Sequence, residues 1–83
     1  MTRRPLEGLR VLDLGTGTGI LAMWAARAGA DVVAVEPHDI IDVARRLARA
    51  NGFGERIQFV RADSKALTLD APVDLVVTEC MGN

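Results

Sequence analysis

Three glycines at alternate positions, Gly15, Gly17 and Gly19, follow the apolar run Val11-Leu12-Asp13-Leu14. Glycine reaches positive φ without strain and lets a ligand come close to the backbone, because no Cβ stands in the way. A helix opening just after such a loop adds amide donors and the positive end of its dipole. Glycines also serve any tight strand-to-helix turn, so the triplet alone is weak evidence of a ligand. The spacing is more informative. Ile20 follows Gly19, so the pattern is Gly-x-Gly-x-Gly and not the Gly-x-Gly-x-x-Gly of dinucleotide folds.

Acidic groups surround this loop in sequence. Asp13 stands two residues before Gly15, and a carboxylate there repels a pyrophosphate and attracts a cation. Glu36 closes the next apolar run, about 20 residues further on, where an acid can accept from both ribose hydroxyls. Asp63 follows a third apolar run and can accept from an adenine exocyclic amine, with Ser64 beside it. Together these features favour S-adenosylmethionine, whose ammonium and sulfonium are both cationic, over a dinucleotide. The expected cofactor contacts are Asp13, Gly15, Thr16, Gly17, Gly19, Glu36, Asp63 and Ser64. His38 and Cys80 stand alone and are read as structural.

The elements that must hold these groups can be read in turn. Leu9 to Leu14 is a strand closed by the glycine cluster. Ile20 to Ala28 is rich in alanine, leucine and methionine, which favour helix, with Ile20/Trp24 and Met23/Arg27 at i, i+4 spacing. Gly29 suits a left-handed C-terminal cap. Asp31 to Glu36 is a β-branched second strand stopped by Pro37. Asp39 is placed to cap a second helix running to about Ala50, with Ile40, Val43, Ala44, Leu47 and Ala48 as its apolar stripe and Arg45, Arg46 and Arg49 facing water. Asn51-Gly52 ends it. Ile57 to Arg61 is a third strand and Val73 to Thr78 a fourth, introduced by Pro72, while residues 1–8 read as a lead-in.

Strands alternating with helices imply an α/β chain with a parallel sheet and right-handed crossovers. Ligands in such sheets lie beyond the carboxyl ends of the strands. Those ends fall at Asp13 to Gly19, Glu36 to His38, Arg61 to Ser64, and Thr78 to Asn83, and each carries a polar or acidic residue just past an apolar run.

Composition narrows the function further. The sequence has 83 residues, at most one domain, with 49% apolar residues, too many for a disordered segment. Net charge is -1, and the basic residues are scattered, with Lys65 the only lysine. That gives no electrostatic case for nucleic acid or an anionic membrane. No apolar run reaches the roughly 18–20 residues that span a bilayer. The single cysteine provides neither an internal disulfide nor a zinc cage, so no metal is expected, and a cytoplasmic setting is.

The segment from Val11 to Ala30 resembles the first motif of the class I methyltransferases, and most of all that of the protein arginine methyltransferases. Val32-Val33-Ala34-Val35-Glu36 matches their second strand, with Glu36 as the ribose acid. Val73 to Asn83 is similar to their strand entering the double-glutamate loop. The resemblance spans about residues 9–83. It implies a Rossmann-like class I methyltransferase fold, here a partial parallel sheet of four strands in the order 3-2-1-4 with two main helices. It also implies that Glu79 binds the substrate guanidinium and acts as the catalytic residue, with Met81 lining the same pocket. The chain departs from the family at Cys80, where tryptophan is usual, and at Lys65, where a glutamate is usual.

The expectation is therefore an S-adenosylmethionine-dependent methyltransferase, acting on the nitrogen of protein arginine and represented by its cofactor-binding portion. With one carboxylate where the family uses two, the isolated chain is expected to have little or no activity. Three alternatives stay open at this point: methylation of another amine or a small molecule, a dinucleotide-binding module, and a non-catalytic scaffold. The free edge of the fourth strand, Leu75 to Thr78, is a candidate for self-association.

Overall fold

The computed structural model describes residues 5–63 and 72–78. Strand β1 (Arg10–Leu14) leads into helix α1 (Ile20–Arg27), β2 (Asp31–Val35), α2 (Ile40–Ala50), β3 (Ile57–Val60) and β4 (Leu75–Thr78). The strands form one sheet in the order β3-β2-β1-β4, and every neighbouring pair is parallel. The register aligns Leu14 with Val35 on one side and with Thr78 on the other. Val35 in turn aligns with Val60. All four strands thus end at one level, and the described segments that follow β1, β2 and β3 share one edge of the sheet.

Two cores lie on opposite faces, as the alternation of side chains along a strand requires. Val11, Val32, Ala34 and Ile57 pack against Ala22, Ala25 and Ala26 of α1 and Ala48 of α2. Leu12, Val33 and Val35 gather on the other face, with Leu14, Val60, Ala62 and Val73 around them. Burial on both faces explains why β1 and β2 read as nearly continuous apolar runs. The lead-in is anchored too: Leu6 packs against the helix-side core and its N–H donates to Ala28 O at 2.8 Å.

The helices are held close by small residues. Gly29, with φ of 104°, reverses the chain after α1, and Gly52, with φ of 84°, does the same after Asn51. The apolar stripe expected on α2 is rotated in the fold. Ile41, Ala44 and Ala48 are its buried residues, while Ile40, Val43 and Leu47 stay 38–39% exposed. The cause is the approach of α1. A Cβ built on Gly19 would stand 3.0 Å from Ala44 Cβ, so the face of α2 that carries Ile41, Ala44 and Ala48 turns inward and Ile40, Val43 and Leu47 are left on the flank. Ile20 and Trp24, paired at i, i+4, lie on the outer side of α1 and are mostly exposed.

Asp39 also differs from expectation. It occupies the position before α2 but makes no capping hydrogen bond with its side chain. Its own backbone is already helical, with φ of −62° and ψ of −17°, whereas a capping side chain needs an extended backbone to turn back on the first amides. The carboxylate instead pairs with Arg61, Asp39 Oδ1 lying 2.7 Å from Arg61 Nη2.

Candidate cofactor site

The loop after β1 closes against the end of β2. Gly15 N–H and Thr16 N–H both donate to Val35 O, at 2.8 and 3.0 Å, and Gly19 N–H donates to Thr16 O at 2.9 Å. Gly15, Gly17 and Gly19 all have positive φ, of 71°, 57° and 85°. Two of the three differ in what surrounds them. Gly15 would meet nothing within 4 Å if it carried a Cβ, so its side is open to a ligand. Gly19 is taken up by the contact with Ala44, so helix packing already demands it.

Beneath the loop lies a buried polar pair. Thr16 Oγ1 donates to Asp13 Oδ2 at 2.8 Å, and neither residue is exposed by more than 1%. A carboxylate in the interior needs such donors to offset lost hydration. Asp13 therefore sits inside the loop, beneath its open face. Thr16 is committed to holding it.

Glu36 is the acid at the edge of the site. Its backbone N–H donates to Val60 O, which fixes it at the end of β2. Its side chain lies back over the loop, with Oε1 accepting from Gly17 N–H at 3.0 Å and Oε2 from His38 N–H at 3.3 Å. Each carboxylate oxygen has a second lone pair, so two further donors can still be accepted. A vicinal diol supplies two such donors.

Four amides of the loop, those of Gly15, Thr16, Gly17 and Gly19, are satisfied by Val35, Glu36 and Thr16. A phosphate-binding glycine loop works by directing unpaired N–H groups at the anion. This loop spends those donors internally and carries acids at Asp13 and Glu36. The geometry is poor for a pyrophosphate and good for a ribose linked to a cationic group.

Asp63 lies on the same sheet edge, past β3, and is exposed. Ser64, Glu79 and Met81 lie outside the described residues, as do Lys65 and Cys80. Among the described residues no group of three His, Cys, Asp or Glu could hold a metal, and no helix is long and apolar enough to cross a membrane. Sequence reasoning placed Asp39 as a helix cap and Arg61 at a strand end but missed their pairing at this edge, because they are 22 residues apart and no motif links them.

The family model for the methyltransferase domain matches residues 11–82, nearly the whole chain. The chain belongs to the methyltransferase-domain family. Its relatives include protein arginine N-methyltransferase PRMT10 of Oryza sativa, 43% identical over 77 residues, covering 92% of this chain and 20% of that protein. Protein arginine N-methyltransferase 1 of Saccharomyces cerevisiae is 43% identical over 74 residues, covering 87% of this chain and 21% of that protein. This methyltransferase domain thus spans about a fifth of the length of those relatives. Among solved structures, Arabidopsis thaliana protein arginine methyltransferase 10 superposes with a TM-score of 0.88 at 42% identity, covering 93% of this chain and 22% of that one. The Trypanosoma brucei PRMT1 enzyme–prozyme heterotetrameric complex with AdoHcy gives 0.88 at 38%, covering 93% and 25%. The class I methyltransferase fold expected from the sequence, with strand order 3-2-1-4, is the fold found.

Proposed function

We propose that this methyltransferase domain binds S-adenosylmethionine and serves transfer of its methyl group to a protein arginine nitrogen. The observation that carries the cofactor reading is the Glu36 carboxylate, held by Gly17 N–H and His38 N–H at the sheet edge with acceptor capacity left for a diol. S-adenosylmethionine brings an already activated methyl group. The protein's work is to place donor and acceptor in line.

Each residue has a part in that placement. Glu36 accepts from the ribose hydroxyls. The open side of Gly15 lets the ligand lie against the backbone, and the Asp13 charge under the loop favours a cationic ligand. Asp63 would accept from the adenine amine, with Ser64 next to it in sequence. The acceptor reading rests on likeness: the relatives named above are arginine methyltransferases, and the resemblance of the sequence to that family implies that Glu79 binds the guanidinium and Met81 lines its pocket. In this role Glu79 would orient the guanidinium and stabilise its developing positive charge. The AdoHcy held by the trypanosome complex, and its heterotetrameric assembly, support product binding and self-association as parts of the same proposal.

Calorimetric titration with S-adenosylhomocysteine and with NAD tests the cofactor reading. Binding of NAD alone would overturn it. For the acceptor, Glu79→Gln in a protein carrying the full catalytic domain should abolish methylation of an arginine-rich peptide and leave S-adenosylhomocysteine binding intact. Unchanged methylation would remove Glu79 from the reaction.

A further inference from the structure

Besides the bond from Glu36 N–H to Val60 O, the side chain of Arg61 ties the segment that carries Glu36 to the next strand. Arg61, just past β3, reaches back over the β2–α2 turn and touches it twice. Arg61 Nη2 lies 2.7 Å from Asp39 Oδ1, and Arg61 Nε donates to Pro37 O at 3.4 Å. These contacts fall on either side of His38, whose N–H holds Glu36 Oε2. The first residues of α2 are built on the same turn, with Ile41 N–H donating to His38 O and Asp42 N–H to Asp39 O.

We propose that Arg61 is a positioning residue for the cofactor site, a strap that fixes the Pro37–Asp39 turn and through it the orientation of the Glu36 carboxylate. The functional half of this inference rests on the cofactor reading above; the structural half does not. Arg61 and Asp39 are both exposed, their side chains at 58% and 83%, so their pairing adds little to global stability. Its consequence is local. A planar guanidinium presents several donors in a fixed fork, so one side chain can hold a carboxylate and a carbonyl together. Lysine, with a single ammonium on a flexible stem, can keep the pair with Asp39 but does not reproduce the fork. Without the strap the turn is held through its neighbours alone, and the His38 N–H is less firmly aimed at Glu36.

The test uses the whole chain carrying Arg61→Ala or Arg61→Lys. Hydrogen exchange without ligand should show faster exchange of the His38 amide in R61A and an intermediate rate in R61K, with amides in β1 and β2 unchanged. S-adenosylhomocysteine affinity should fall about threefold to fivefold in R61A, the size expected of an exposed ion pair. That loss should vanish in a Glu36→Gln background, because Arg61 acts through Glu36. An unchanged His38 amide in R61A would overturn the strap. Additive losses from R61A and E36Q would overturn its action through Glu36 and make Arg61 an independent ligand contact. If the wild-type chain fails to bind S-adenosylhomocysteine, the cofactor reading falls, while the exchange data still decide the strap.

Discussion

The Gly17 amide and the Glu36 carboxylate are joined by a hydrogen bond of 3.0 Å across 19 residues of sequence. One end belongs to the glycine loop after β1 and the other to the acid after β2. The two parts of the site are therefore a single unit: the loop aims the acid, and the acid consumes a donor that a phosphate would otherwise claim.

Replacing Glu36 with glutamine keeps an acceptor for the Gly17 N–H but removes the charge. A hydrogen bond to a charged group contributes about 1.5–3 kcal/mol, so S-adenosylhomocysteine affinity should fall by about ten- to a hundredfold. Calorimetry measures the loss, and thermal denaturation should show the fold retained.

Gly15→Ala and Gly19→Ala should separate binding from folding. Both positions have positive φ, which costs an L-residue about 1–2 kcal/mol. Only at Gly19 does the added methyl also meet Ala44 Cβ at 3.0 Å, and overpacking adds about 1–3 kcal/mol. Denaturant midpoints should rank Gly19→Ala as the less stable variant. Ala44→Gly should restore part of that loss. Gly15→Ala should instead lose more ligand affinity than its stability change explains.

The Thr16 hydroxyl holds the buried Asp13 carboxylate, so Thr16→Val should destabilise the chain by about 1.5–3 kcal/mol. Thr16→Ser keeps the donor and should cost far less. Urea unfolding of the two variants measures the difference.

β4 stands at one end of the sheet, with β1 beside it, and Leu75 and Val76 are about half exposed. A strand edge with apolar residues favours pairing with another chain. Sedimentation velocity on this chain should show oligomers that grow with concentration. Val76→Lys should shift the distribution toward monomer.

Much of this was legible along the chain because its causes are local. Alternating β-branched runs and alanine-rich segments specify the strands and helices, and glycines mark where the backbone must take positive φ. Parallel pairing then brings the strand ends to one edge, which is why the sequence alone points to Asp13, Glu36 and Asp63 as candidate site residues. The likeness of the Val11–Ala30 segment to a known first motif supplied the family and the strand order.

What the tertiary structure decided depends on distances between parts remote in sequence. Periodicity marks one apolar stripe on α2, of which Ala44 and Ala48 are buried, while the fold buries Ile41 in place of Ile40, Val43 and Leu47. Asp39 stands at the cap position in sequence, but its helical backbone prevents capping and its carboxylate pairs with Arg61 at 2.7 Å. The glycine spacing and Asp13 argued against a pyrophosphate by pattern and charge. The fold adds the donor count, because Val35, Glu36 and Thr16 take four of the loop amides for themselves. Sequence specifies which groups reach the sheet edge; only three-dimensional packing determines which of their hydrogen bonds remain for a ligand.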